Sequence, residues 1–524
     1  MKITEKPFSI PDHWRWIELK ELAEINPTFD RNDLSDDDPV SFVGMKRVEE
    51  LSGRIDLSET EPLSEVRKGY TYFEDGDVLF AKITPCMENG KVAVARGLEN
   101  GVGFGSTEFH VIRHPEEITQ EWIFHYLIQE GFRRDAKRAM TGSAGQKRVP
   151  TGYIEEVPIP LPPLPEQRRI VAKIEELFSK LDAGMGDLQT AEQQLERYRL
   201  SVLQAAVEGR LTADWRRTHD PEPADQLLER ILVDRREKWE ERYKWERYES
   251  KGKEPPSGWK DRYTEPDPPD DTDLRELPEG WAWSKLGHAF FVHLGATPRR
   301  SRDDFWGGDI AWASSSEINQ REITYTEETI TEAGLEDTST QVLPPGTLML
   351  GMIGQGRTRG MVAELKIPAA TSQNSAAIEV AHCSVPPKWV YYYLESQYHE
   401  LRRMGSGNNQ KALNKGIVQE IPIPLPPLAE QKQIVDEVER LLSVADDASD
   451  TADREHTRAD RLRQSILKQA FSGQLVPHDD EANPPTVDTM ASETTGTPSS
   501  NDRDSDAEDL LGSTDPDKQI EMDI

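Results

Sequence analysis

Two short stretches combine glycines with amide and cationic side chains, one late in each half of the chain. They are Gly142-Ser-Ala-Gly-Gln-Lys-Arg148 and Gly405-Ser-Gly-Asn-Asn-Gln-Lys411. The chemistry such loops suit is hydrogen bonding to phosphate oxygens or to base edges. Arg133, Arg134, Lys137 and Arg138 precede the first, and Arg402 and Arg403 precede the second. Residues of similar type complete a candidate DNA-contact set. In the first half it comprises Lys82, Lys91, Ser106, Thr107, Gln146, Lys147 and Arg148. In the second it comprises Arg299, Arg300, Arg357, Arg359, Gln373, Asn374, Asn408, Asn409, Gln410 and Lys411. Taken singly, each loop reads equally well as a solvated helix end with cations at its negative pole. Recurrence in both halves is what points to nucleic acid.

Other chemistry is missing. There is no phosphate-binding loop of the motor type. Gly351-Met-Ile-Gly-Gln-Gly356 reads as a strand-end turn. A methyl-transferring site would need a glycine-rich strand-to-helix loop and an Asn/Asp-Pro-Pro-aromatic element. Asp220-Pro-Glu and Asp267-Pro-Pro-Asp lack the aromatic. Glu364-Leu-Lys366 matches the core of a nuclease constellation by chance as readily as by function. The 11 histidines are scattered, and Cys86 and Cys383 are the only cysteines, too few for a disulfide framework or a cysteine-rich zinc site. A binding protein without metal, cofactor or catalytic residues is expected.

The elements that must position the loops come from a duplication. Val157-Pro-Ile-Pro-Leu-Pro-Pro-Leu-Pro-Glu-Gln167 returns as Ile421-Pro-Ile-Pro-Leu-Pro-Pro-Leu-Ala-Glu-Gln431, an offset of 264. The offset holds upstream at Gln146-Lys147 and Gln410-Lys411, and downstream to Leu211 and Leu475. Ile10-Pro-Asp-His-Trp-Arg-Trp16 resembles Leu277-Pro-Glu-Gly-Trp-Ala-Trp283. Between these anchors the halves diverge, as if one frame carried two different reading surfaces.

The prolines predict a stiff extended lead into a helix running from about Leu164 to Gly209. Ile174, Leu181, Leu188, Leu195 and Val202 recur every seven residues, with Leu177, Ala191, Tyr198 and Ala205 as a companion stripe. In the second copy Val438, Ala445, Ala452, Ala459 and Ile466 take the heptad positions. Large against small suits an antiparallel coiled coil of unlike helices, about 70 Å long at ~1.5 Å per residue. It would carry the variable domains at opposite ends. Gly184 and Gly186 each cost about 1 kcal/mol in a helix and invite a bend. Glu166, Gln167, Leu181, Leu188, Leu195, Glu430, Gln431, Ala445, Ala452 and Ala459 are expected at a subunit interface.

The variable middles predict mixed α/β domains with a pseudo-twofold repeat. Short strands lie at Val40–Gly44, Asp77–Lys82, Lys91–Ala95 and Glu108–Ile112, then one helix from Gln120 to Lys137. The second middle repeats this order, with strands at Ile310–Ala313, Thr347–Leu350, Met361–Glu364 and Ala376–Val380, then a helix from Pro387 to about Met404. The expected domains are residues 1–156, a helical region 157–212, a charged insert 213–276 with a helix from Ala224 to Glu249, residues 277–420, a second helical region 421–475, and a tail 476–524. From Val476 onward 14 acidic residues face only Arg503 and Lys518, so the tail holds over a third of the net charge of −33 and is expected to be disordered. The remaining acidity is spread over the surface, as a halophilic source would explain. Mean hydropathy is −0.71, and neither a membrane-length apolar run nor a signal peptide is apparent, so a cytoplasmic protein is expected.

The doubled Pro-Leu-Pro-Pro-Leu-x-Glu-Gln motif resembles the constant regions of Type I restriction specificity subunits, as do Ile10–Trp16 and Leu277–Trp283. Phe104–Ile112, Gly295-Ala-Thr-Pro-Arg-Arg300 and Phe305–Trp312 are similar to stretches of that family's target-recognition domains. The resemblance covers about residues 10–475. It implies that each variable domain reads half of a bipartite site in double-stranded DNA. It implies that the helices dock two adenine-methyltransferase subunits, and that restriction/motor subunits join them. S-adenosylmethionine, ATP and Mg would then belong to those partners. The insert and the tail lie outside the family pattern. A fused restriction–methylation enzyme acting alone and a protein-only scaffold remain as competing readings.

Overall fold

The computed structural model describes residues 8–31, 33–143, 145–270, 272–354, 356–380, 383–404 and 412–477. The tail after Pro477, and the expected disorder there, lie outside the described residues. Two compact units result. One combines residues up to Thr190 with those from Ala452 onward, and the other runs from Ala191 to Thr451. Each holds one mixed α/β domain and a part of both long helices. No helix among the described residues is long and apolar enough to cross a membrane.

In the first unit the run Asp77-Val-Leu-Phe-Ala-Lys82 forms the strand Val78–Ala81, whose four side chains are all fully buried. It lies between Phe109–Arg113 and Val92–Val94, antiparallel to both. A second sheet has the order Thr60–Pro62, Pro39–Val43, Val102–Gly105, Thr71–Glu74. Its buried strand needs two glycines. A Cβ on Gly103 would lie 2.2 Å from the Phe73 ring, and one on Gly105 would lie 2.3 Å from the Val43 carbonyl.

The single helix expected from Gln120 to Lys137 is two helices, Gln120–Leu127 and Glu130–Ala139. Gln129 between them is extended. The break re-aims the chain so that Phe132 and Ala136 still reach the core, Arg134, Lys137 and Arg138 are exposed, and Arg133 turns back onto the Ile128 and Glu88 carbonyls. The helix expected from Pro387 to Met404 is likewise interrupted at Gln397.

The second unit has a five-stranded sheet in the order Phe291–Leu294, Ser375–Glu379, Thr347–Gly351, Val362–Leu365, Glu322–Ile323. A three-stranded sheet, Glu328–Ile330, Trp306–Ala313, Ala370–Thr371, stands beside it. The described residues of the insert are part of this unit. Its helix Ala224–Arg247 buries Ala224, Leu227 and Ile231 in the core. Farther along, Trp239, Tyr243 and Trp259 stack on one another, and Tyr263 is tilted against Trp239.

Both proline-rich leads are strands of two-stranded ribbons. Arg15–Glu18 pairs with Pro158–Leu161, and Ala282–Lys285 pairs with Pro422–Leu425. Alternate prolines point their nitrogens away from the partner strand, where a missing N–H costs nothing. Their carbonyls also point outward and are met by the aromatic helix of the same unit. Trp122 Nε1 donates to Pro160 at 2.9 Å and Tyr126 to Pro158 at 2.7 Å. Trp389 and Tyr393 repeat this on Pro424 and Pro422 at 3.2 and 2.5 Å.

Each ribbon leads into a long helix, Leu164–Val207 or Leu428–Phe471. In the first unit Arg463 pairs with Asp182 and covers the Phe178 ring. In the second Arg199 pairs with Asp446. These pairs have the same antiparallel register. Ala445, Ala452 and Ala459 are buried, and small side chains there let helices approach closely. Leu181, Leu188 and Leu195 are only half-buried. The companion stripe is not a second seam, because Ala191 and Tyr198 are exposed. The first helix continues through Gly184 and Gly186.

Candidate nucleic-acid interface

In the first unit the loop 142–147 is closed by its own backbone. Thr141 N donates to Arg148 O at 2.9 Å, and Arg148 N donates to Thr141 O at 2.8 Å. The loop is tied to the strand below it by Thr84 N to Lys147 O and Val149 N to Lys82 O. Between the loop and the helix Glu130–Ala139 lies a cleft of about 490 Å³, lined among others by Thr84, Glu88, Arg134, Lys137, Arg138 and Lys147. Lys137 reaches Glu88 at 2.5 Å, and Arg138 reaches Asp135 at 3.1 Å. Lys147 is exposed and meets no carboxylate among the described residues. An anion such as a phosphodiester fits the charge of this cleft. Lys147→Ala is expected to weaken DNA binding by about 1 kcal/mol at moderate salt, roughly one charge-assisted hydrogen bond. A titration giving unchanged affinity would remove the loop from the contact surface.

Around this cleft the remaining candidates divide. Thr107 is exposed, and Ser106 accepts the Glu108 amide in a turn. Gln146 closes the loop through its amide on Ser143. Arg148 is gripped by Glu108 from two sides, Nε at 2.9 Å and Nη2 at 2.7 Å. Lys82 lies half-buried beside that pair. Burial pushes its ammonium below the usual lysine range, Glu108 opposes this and Arg148 adds to it. Lys91 is turned inward. Its ammonium donates to the Met45 and Val48 carbonyls at 3.2 and 2.9 Å, so it holds a turn of the domain instead of facing a ligand.

In the second unit Arg300 lies over the Trp306 ring at 3.9 Å and is paired with Glu328 through both terminal nitrogens. Arg299 is exposed, 3.6 Å from Asp337. Arg357 is exposed. Arg359 donates Nη2 to Arg402 O at 2.9 Å and braces the turn below the helix Tyr398–Arg403. Gln373 accepts from Thr297, and the Asn374 carbonyl accepts from Met352 N at 3.0 Å. Asn408, Asn409, Gln410 and Lys411 lie outside the described residues.

Of the residues expected at a subunit interface, the Glu-Gln pairs and the alanines are buried within their own units. Gln167 is fully buried. It accepts from Thr119 N at 3.1 Å and donates to the Glu117 and Pro162 carbonyls at 3.0 Å each. Glu166 accepts from His13 Nε2 at 2.9 Å. Glu430 accepts from Trp281 Nε1 at 2.9 Å and Thr212 Oγ1 at 2.7 Å, and it pairs with Arg216. Gln431 donates to Pro426 O at 2.7 Å. The Glu-Gln motif therefore fastens each helix start to its own unit. Ala445, Ala452 and Ala459 likewise point into the helix seam of their own units. Sequence reasoning missed Glu108 and Glu328, which carry no local signal.

A family model described as the Type I restriction modification DNA specificity domain matches residues 11–193 and again 278–448. The type I restriction enzyme EcoEI specificity subunit of Escherichia coli is 29% identical over 499 residues, 84% of this chain and 80% of that one. The EcoAI specificity subunit of the same organism is 34% identical over 332 residues, covering 55% of this chain and 52% of that one. A chain from a structure on complex assembly and conformational transition of the type I R-M system is 22% identical. It aligns with a TM-score of 0.65 over 90% of this chain and 100% of that one, a likeness of fold.

Proposed function

The chain belongs to the Type I restriction–modification DNA specificity family, and on that premise we propose that its two variable domains each read one half of a bipartite site in double-stranded DNA. It is a specificity subunit, a DNA-recognition component without catalysis of its own. The observation that carries the half-site reading is the duplication. Ribbons, helix starts and the aromatic helix contacts repeat between the units, while the side chains offered at the surface differ. One unit offers Lys147 and Arg148, and the other offers Arg299, Arg300 and Trp306.

The chain works with DNA and with the other subunits of a type I system. In this reading two adenine-methyltransferase subunits dock on the long helices and restriction/motor subunits join them. Exposed apolar side chains on those helices support docking there: Tyr198, Leu200 and Val444 in the second unit and Leu462 in the first. S-adenosylmethionine, ATP and Mg bind to the partners.

The test is a domain exchange. Residues 10–156 are replaced by the first domain of another family member, and methylated adenines are mapped after reconstitution. One half-site changes and the other persists. A change in both would end the reading of independent domains.

A further inference from the structure

In each unit an arginine of the candidate interface is held edge-on by one glutamate. Arg148 and Glu108 make the first pair, with side chains 43% and 23% exposed. Arg300 and Glu328 make the second, at 55% and 39%. The two glutamates sit on unrelated elements. Glu108 precedes the strand Phe109–Arg113, and Glu328 opens the strand Glu328–Ile330. We propose, resting on the DNA-reading function above, that Glu108 and Glu328 are positioning residues for selectivity, occupying Arg148 and Arg300 so that only a cognate site displaces them.

The geometry carries this. A carboxylate gripping a guanidinium through two parallel bonds occupies the edge that a phosphate or a guanine would take. A non-cognate duplex offers only phosphate in exchange for the carboxylate, a near-even trade. A cognate duplex adds base contacts and wins the exchange. Neither pair is needed to place its arginine. The Arg148 backbone already closes its loop through two hydrogen bonds to Thr141. Arg300 is already seated on the Trp306 ring.

Charge supports the same conclusion. Hydrogen bonds from the arginines hold both carboxyls below the usual range, so they stay ionised at neutral pH. With a net charge of −33 the chain as a whole repels DNA of any sequence. Masked arginines keep non-specific binding low until the right bases arrive.

The test uses full-length chain reconstituted with its methyltransferase partners, a duplex carrying the mapped site, and a shuffled duplex of equal length. E108Q and E328Q each bind the shuffled duplex about tenfold more tightly, and the site duplex about twofold more tightly. Their salt dependence steepens by about one released ion per freed arginine. The double variant E108Q/R148Q returns shuffled-duplex binding to the wild-type level. A purely structural role would instead weaken binding to both duplexes. Two variants on separate elements guard against local misfolding in one. If wild type distinguishes the duplexes while neither variant gains affinity for the shuffled one, the masking proposal is overturned alone. A wild-type complex that fails to distinguish them overturns the DNA-reading function, and this proposal with it.

Discussion

Replacing Glu430 by alanine lowers the stability of the second unit by about 3 kcal/mol, the cost of stripping one partner from a buried ion pair. Glu430 is fully buried in the second Glu-Gln motif, at the helix start, and holds Trp281, Thr212 and Arg216 together. Arg216 also donates to Gly209 O at 2.8 Å and lies over the Trp281 ring. Without the carboxylate, an indole N–H and a cation lose their acceptor where water cannot easily replace it. Glu430→Gln keeps the shape and one acceptor and should cost about half as much. The comparison that isolates the effect is Glu166→Ala. Its partner His13 is 45% exposed, so water takes over and the loss is smaller. Urea unfolding followed by tryptophan fluorescence measures all three. If E430A unfolds at the wild-type urea concentration, the buried network contributes nothing net.

Acid should loosen the charged insert from the second unit. Arg242, on the insert helix, donates to both oxygens of Glu379 at 3.1 and 2.9 Å, and His293 Nε2 lies 2.8 Å from the same carboxylate. Burial pushes the Glu379 carboxyl up, but the His293 and Arg242 hydrogen bonds outweigh it and hold it at about 2. A folded-state value below the unfolded one means stabilisation is complete above the ordinary carboxylate range. It is lost as pH falls from about 4.5 towards 2. A shift of this size corresponds to about 3 kcal/mol. Urea unfolding of wild type and Glu379→Gln between pH 7 and pH 2.5 checks this. The wild-type advantage should shrink across that window and vanish near its lower end. Parallel curves for the two proteins would show that Glu379 is not the group responsible.

What the sequence made legible was whatever repeats or depends on near neighbours. The offset of 264, the buried run Val78–Ala81 and the insert helix Ala224–Arg247 are local patterns of burial and propensity. What it concealed was long-range pairing. Glu166 and Glu430 at a helix start read as residues of a subunit interface. Glu430 is buried against Trp281, 149 residues before it, and Arg216, 214 residues before it, and Glu166 meets His13 from 153 residues away. The break at Gln129 has only Gly131 beside it as a local signal, and it serves where Phe132 and Ala136 must pack. At the candidate interface the loop closed by Thr141 and Arg148 was legible from its composition. The inward turn of Lys91 was not, since its acceptors lie 46 and 43 residues away. Glu108 was equally hidden as the partner of Arg148, 40 residues distant.

The proline ribbons also bear on how such a chain stays soluble while its reading domains diversify. An unprotected strand edge offers donors and acceptors on which another polypeptide can grow. Along the outer edge of each ribbon, Pro158 and Pro160, or Pro422 and Pro424, have no N–H to offer. Their carbonyls are already occupied by Trp122 and Tyr126, or by Trp389 and Tyr393. Those edges are closed to strand addition, so the joints where a new domain is grafted on do not become seeds for fibres.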